Sequence, residues 1–260
     1  MSKSSTLAKA RAVAQLSARA LFASDPEASS TMRHLLASKI ATWLGDYQLY
    51  KHTHAWLDDA EFLKIWRAFP EGDDKIRDRR FSLYQLARSV ANLAGDTVEC
   101  GVWRGAGSYL ICRATAIPGR THHVFDSFEG LPEATTRDFS TNVDQHPWKP
   151  GEFATPISVV EHNLAGTNSQ LYRGWIPDRF AEVSDRKFTF VHINVDLYEA
   201  TLKSLEFFYS RIVPHGLLVC HDYGFTSAPG AKAACDEFIS NKPERHVIHL
   251  TSGQGLIVKR

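Results

Sequence analysis

Thr97-Val-Glu-Cys-Gly-Val-Trp-Arg-Gly-Ala-Gly-Ser108 is the stretch that decides the fold. It begins as a short apolar run, turns on glycines 101, 105 and 107, and passes into residues of helical character. Glycines let a backbone turn tightly and approach a ligand closely, and a helix that starts just after a strand directs its first N–H groups at that ligand. The answering segment is His122-His-Val-Phe-Asp126, a strand-like run that ends in a carboxylate.

Outward from this pair the pattern repeats. Apolar runs near 97–100, 121–126, 169–173, 188–195 and 217–221 alternate with helix-length segments near 106–116, 156–165, 198–212 and 230–240. Such alternation marks β-α-β units around a mostly parallel sheet. Pro214 and Gly216 are expected to stop the third of these helices. The last segment breaks the alternation: Arg245-His-Val-Ile-His-Leu250 and Gly255-Leu-Ile-Val-Lys-Arg260 flank Thr-Ser-Gly-Gln, a hairpin signal. The expectation is an α/β fold, a Rossmann-like, seven-stranded, mostly parallel sheet closed by an antiparallel hairpin. Residues 91–260 form this domain, and residues 1–90 form an N-terminal helical layer.

In that layer, Met32 to Leu44 and Phe81 to Leu93 show helical spacing, the latter with Leu83, Leu86, Val90 and Leu93 on one side. Lys3, Lys9, Arg11 and Arg19 precede the first acid, Asp25, as in an organellar leader, but Leu7, Val13, Leu16 and Phe22 make an apolar stripe, so a solvated helix is expected. Trp43, Tyr47, Tyr50, His52, His54 and Trp56 suit a lid over a substrate or a contact in a homo-oligomer. Lys75, Arg77, Arg79 and Arg80 are interrupted by Asp78 and preceded by Asp73 and Asp74, which reads as a solvated helix end.

With 260 residues, 43% of them hydrophobic, the chain can bury a large core. Thirty basic against 29 acidic residues point away from nucleic acid as a partner. No run approaches the roughly 20 apolar residues of a membrane span, and no signal-peptide core is visible. Cys100, Cys112, Cys220 and Cys235 lack paired spacing, so reduced thiols in a cytoplasmic protein are expected.

In an open parallel sheet, ligands bind beyond the carboxyl ends of the strands at a topological switch point. Asp126 sits at such an end, where a carboxylate can accept both ribose hydroxyls of an adenosine. The turn lacks the G-x-G-x-x-G spacing, so a sulfonium nucleoside fits better than NAD.

Five segments follow in order: Val98-Glu-Cys-Gly-Val-Trp-Arg-Gly105, Phe125-Asp-Ser-Phe-Glu-Gly-Leu-Pro132, Arg173-Gly-Trp175, Asp196-Leu-Tyr-Glu-Ala-Thr201 and His221-Asp-Tyr223. Together, over roughly residues 80–240, they resemble the macrocin and mycinamicin sugar O-methyltransferase family. The resemblance implies a class I methyltransferase using S-adenosylmethionine, with a small-molecule hydroxyl acceptor. It places Glu99, Gly101 and Gly105 around the methionine end of the cofactor, and Ser108 in the following helix is read as a further cofactor-binding residue. It places Asp126 at the ribose, and Ser127, Gly174 and Trp175 near the adenine.

Methyl transfer to a hydroxyl needs an aligned oxygen and removal of its proton. Asp196 ends one strand and His221-Asp222 the next, bringing three ionisable groups to one sheet edge. The resemblance implies Asp196, His221 and Asp222 as ligands of magnesium or another divalent cation, with Asp196 also a base. The chain departs from the family pattern, because His221 replaces the first aspartate of a pair and Asn194 stands where another acid is common. An imidazole weakens a magnesium site, so the second reading is a metal-independent enzyme with His221 as general base. A non-catalytic cofactor-binding module is the third. His192 shares its face with Asn194 and Asp196 but is read as a packed residue. Trp175, Tyr198 and Tyr223 are open between packing and lining roles.

Overall fold

A computed structural model describes residues 11–18, 26–44, 56, 58–70, 76–141 and 145–260, and the chain divides into two compact units between Asp59 and Ala60. In the first unit, residues 11–18 are helical and α1 spans Pro26–Leu44. Val13 and Leu16 of the expected stripe are half-buried, whereas Leu7, Phe22, Tyr47, Tyr50, His52 and His54 lie outside the described residues. No helix among the described residues is long and apolar enough to cross a membrane.

The second unit starts with α2 (Ala60–Ala68) and α3 (Arg77–Ser89). Then follow β1 (Asp96–Cys100), α4 (Ala106–Ala114), β2 (His122–Asp126), α5 (Ile157–Asn163) and β3 (Ser169–Arg173). The chain continues through β4 (Phe188–Ile193), α6 (Tyr198–Phe208), β5 (Ile212–Cys220), α7 (Pro229–Ile239), β6 (Ile248–His249) and β7 (Gly255–Val258). The helices of the 60–90 stretch belong with the sheet rather than with the residues before them. Phe62 of α2 packs on Tyr84 of α3 at 5.6 Å, and Phe69, just past the end of α2, packs on Tyr109 of the helix after β1 at 5.3 Å.

The seven strands are ordered β3-β2-β1-β4-β5-β7-β6. All pairings are parallel except β5 with β7 and β6 with β7, as the alternation and hairpin signals require. Every residue of β1 and β4 is buried, as expected for strands covered on both faces. Because side chains alternate, Val98, Cys100, Val191, Ile193, Leu218 and Cys220 point to one face, where Leu205, Phe208, Ala231 and Cys235 of α6 and α7 meet them. Phe190, Leu217, Val219 and Leu256 point to the other, against Leu83, Ala87 and Val90 of the α3 segment and Ile111 of α4. All four cysteines are free and buried.

Pro214 and Gly216 do not stop a helix. α6 ends at Phe208, one 3-10 turn covers Tyr209–Arg211, and β5 has begun by Ile212. The proline is tolerated because the β4–β5 register slips there, Phe188 facing Ile212 and Phe190 facing Leu217. The surplus β5 residues bulge, His215 adopts φ 67, and its N–H pairs with Lys259 O at 2.8 Å. A bulge is where a strand can carry a residue without an N–H.

Candidate active site

The carboxyl ends of β1, β2, β4 and β5 surround a cavity of about 280 Å³. It lies where the chain, having laid β2 and β3 on one side of β1, crosses to lay β4 on the other, which is the switch point of the sheet.

One half of the cavity is built by the turns after β1 and β2. Gly101 adopts φ 77, and a Cβ there would run into the carbonyl of Asn194, so only glycine lets β1 leave the sheet this close to β4. Asp126 is fixed by two backbone N–H groups, Val102 to Oδ2 and Phe128 to Oδ1, both at 2.7 Å. Burial raises its pKa, and the N–H bonds from Val102, Phe128 and Trp103 oppose that rise. Three N–H donors leave part of the carboxylate's capacity of about four acceptor positions for a ligand. Ser127 and Trp175 also line the cavity, together with Trp103 and Phe153, three of these being partly exposed aromatics at its rim.

Other expected cofactor residues sit behind the wall. Gly174 continues the β2–β3 edge through its N–H to Asp126 O at 3.0 Å and brings Trp175 to the cavity. Gly105, at φ 95, caps α4, and a Cβ there would reach ordinary contact with Leu164, so its backbone conformation rather than crowding favours glycine. Glu99 and Ser108 are fully buried and bonded to each other beneath the floor. Gly107 makes this fit, since a Cβ there would strike the Glu99 carboxylate.

The other half carries the ionisable groups. Asp196 stands in a tight turn with φ 56, closed by Leu197 N–H to Val195 O at 2.5 Å. Aspartate is among the few residues that tolerate this conformation. His221 and Asp222 follow β5, and all three side chains line the cavity. Arg79 of α3 joins them: its guanidinium donates to His221 O at 2.6 Å, lies 3.4 Å from Asp222 Oδ1, and covers the Phe225 ring at 4.2 Å. Arg80 is buried beside it on the cavity wall. These two arginines are therefore not a solvated helix end; Lys75 of that cluster lies outside the described residues.

Burial and the charge of Asp222 push the Asp196 pKa well above the ordinary carboxylate value, with Arg79 opposing. Burial also raises Asp222, again against Arg79. His221 moves the other way, its pKa held well below the usual imidazole value by burial and by Arg79. It is therefore neutral near pH 7, with a nitrogen lone pair available.

This donor set does not fit a divalent cation. Among the described residues no group of three or more His, Cys, Asp or Glu side chains converges on one point. The place beside Asp222 is taken by a guanidinium, which repels a dication, and Nδ1 of His221 faces another histidine. The expected ligand set of Asp196, His221 and Asp222 thus shares a wall without forming a cage.

His192 is not merely packed. Its Nδ1 lies 2.7 Å from Glu99 Oε1 and its Nε2 lies 3.3 Å from His221 Nδ1. A buried chain thus runs from Ser108 through Glu99 and His192 to His221. Tyr198 and Tyr223 take packing roles, their hydroxyls bonded to Glu237 at 2.7 Å and Asp236 at 2.8 Å.

A family model described as Macrocin-O-methyltransferase (TylF) matches residues 75–250. The 8-demethyl-8-(2,3-dimethoxy-alpha-L-rhamnosyl)-tetracenomycin-C 4'-O-methyltransferase of Streptomyces olivaceus is 31% identical over 147 residues, 53% of this chain and 56% of that protein. The Mycinamicin III 3''-O-methyltransferase of Micromonospora griseorubida is 27% identical over 165 residues, 59% of this chain and 62% of that one. The matches thus span less than two thirds of these relatives' length. Among solved structures, the O-methyltransferase NovP has a TM-score of 0.57 at 24% identity, covering 70% of this chain and 79% of its own. The calicheamicin methyltransferase CalS11 has a TM-score of 0.58 at 18% identity, covering 80% and 90%. Both share the fold described above.

Proposed function

Because the chain belongs to the macrocin O-methyltransferase family, we propose that it transfers a methyl group from S-adenosylmethionine to a hydroxyl of a sugar or similar small natural product. The observation that carries this reading is the joining of two half-sites in one cavity. One holds a fixed carboxylate at the end of β2, and the other holds Asp196, His221 and Asp222 at the ends of β4 and β5. The 4'-O- and 3''-O-methyltransferases among its relatives support a hydroxyl acceptor.

S-adenosylmethionine would supply a methyl group made electrophilic by its sulfonium. Asp126 would hold the ribose, Gly101 would let the methionine portion approach the backbone, and Ser127 and Trp175 would border the adenine. Glu99, Gly105, Ser108 and Gly174 would support these walls from behind. At the other half, Asp196 would orient the acceptor hydroxyl and His221 would receive its proton as the oxygen–carbon bond forms. Arg79 would supply fixed positive charge beside the carboxylates. We assign residues 1–59 an accessory role, as a lid or a contact between copies, and four buried free thiols suit a cytoplasmic setting.

Calorimetry with S-adenosylhomocysteine and NAD in parallel tests the donor; binding of NAD alone would overturn the reading. Release of S-adenosylhomocysteine on mixing with glycoside acceptors tests the transfer. Turnover is expected to be indifferent to EDTA. Loss in chelator with recovery on adding magnesium would restore the metal-assisted route.

A further inference from the structure

The chain of buried side chains behind His221 ends on the cavity wall, and its polarity can be worked out from the donors and acceptors it contains. We propose that Glu99 and His192 are positioning residues that set the tautomer of His221, leaving its Nε2 as an unprotonated acceptor facing the cavity. This rests on the reading of His221 as the base.

The placement is written into the sheet. Glu99 and His192 are direct partners in the β1–β4 register, and His192 is opposite Val219 of β5, two residues before His221. With period-two alternation all three side chains share the α3–α4 face. Glu99 is 0% exposed and lies under the first turn of α4, where the helix N-terminus favours an anion. Ser108 Oγ–H donates to its Oε2. Burial opposes the charge on Glu99, and the bonds from His192 and Ser108 outweigh it, holding its pKa below the ordinary value.

A carboxylate only accepts, so the bond at 2.7 Å requires the proton on His192 Nδ1. A neutral imidazole then presents Nε2 as an acceptor. Across 3.3 Å it faces His221 Nδ1, and one proton must lie between the two nitrogens, so His221 donates. The lone pair of His221 is thereby left on Nε2, which has no partner among the described residues, in a ring that lines the cavity. Nδ1–H is the less favoured form of a free neutral histidine, so this tautomer needs a reason, and the chain provides one. During transfer the acceptor oxygen gains the methyl carbon, the sulfonium–carbon bond breaks, and the hydroxyl proton passes to His221 Nε2. The imidazolium so formed keeps its Nδ1–H toward His192, and Glu99 stabilises the charge from behind, until the proton leaves to water with the product.

Long-range proton–nitrogen spectra of the full chain labelled with 15N-histidine read the tautomer without turnover. The expected result is His221 protonated on Nδ1 only in the wild type, with and without S-adenosylhomocysteine, and reverting to Nε2–H in His192→Leu. In the same variant kcat is expected to fall about a hundredfold while acceptor KM and S-adenosylhomocysteine affinity stay within about twofold. Glu99→Gln, which keeps volume, is expected to lower kcat less and leave KM alone; it carries the test if His192→Leu does not fold. A wild-type His221 protonated on Nε2, a doubly protonated His192, or kcat unchanged in both variants would overturn the proposal. Because the spectra need neither cofactor nor acceptor, they decide it even if no methyl transfer is found, an outcome that would instead sink the proposed activity.

Discussion

Arg79 donates to the backbone carbonyl of His221 at 2.6 Å, tying α3 to the end of β5 across 142 positions of sequence. The same guanidinium reaches Asp222 at 3.4 Å with both side chains largely buried. A helix outside the glycine-turn motif therefore supplies the permanent charge of the site.

Removing that charge is expected to cost both stability and activity. Breaking a mostly buried pair typically costs about 3 kcal/mol, because the remaining charge stays out of water. For a domain of this size, Arg79→Gln should lower the thermal midpoint by roughly 6–12 °C. Arg79→Lys should recover only part, since an ammonium cannot hold a carbonyl and a carboxylate in the same plane. Calorimetric scans of the two variants check this, and equal midpoints for all three proteins would refute it.

Asp126→Asn keeps the size of the side chain and removes its charge. Hydrogen bonds to a charged acceptor contribute about 1.5–3 kcal/mol, so S-adenosylhomocysteine should bind roughly 10- to 100-fold more weakly. Titration calorimetry reads this directly. An unaltered affinity would remove Asp126 from the ribose position.

Asp196→Asn should separate stability from function. The folded pKa of Asp196 is raised, so the folded state holds its proton more tightly than the unfolded state does. Wild-type stability from this group is present at low pH and is lost as pH rises from the unfolded value toward the folded one. The variant, which has no charge to bury, should be more stable than wild type at pH 7, with the advantage shrinking toward pH 4, while turnover is lost. Midpoints measured from pH 4 to 8 test the trend, which fails if the gap is constant.

His122 should shape the acid limb of stability. It is fully buried, its Nδ1 pairs with Thr97 Oγ1 at 2.8 Å, and burial pushes its pKa from 6.5 to about 4. A lowered imidazole pKa means stability that is present above 6.5 and lost as pH falls toward 4, about 3 kcal/mol in all. His122→Asn should flatten that part of the profile. Urea denaturation at pH 7, 5.5 and 4 would show it, and parallel curves for the two proteins would exclude it.

The sheet was legible because each of β1, β2, β4 and β5 reads as an apolar run between helical segments, and because Thr-Ser-Gly-Gln marks the closing hairpin. Asp126, Asp196, His221 and Asp222 were legible as polar residues ending such runs. Arg79 was not: along the sequence its charge is balanced by Asp73, Asp74 and Asp78, and only the docking of α3 brings it to His221. His192 looked like a residue too deep in its strand to matter. What it touches depends on register, and aligning the parallel runs so that Glu99 meets His192 is the signal that could have found the pair. Pro214 and Gly216 misled because a bulge and a helix stop use the same residues.

β7 pairs with β5 through Leu217, Leu218, Val219 and Cys220, the residues leading into His221. During synthesis β5 therefore waits as an open sheet edge, bonded to β4 alone, until Gly255–Val258 has emerged. An unpaired apolar edge invites other chains to add to it. The strand that never touches the cavity thus sets the moment at which a newborn chain stops being vulnerable, and substitutions in it should be seen first as aggregates rather than as slow enzyme.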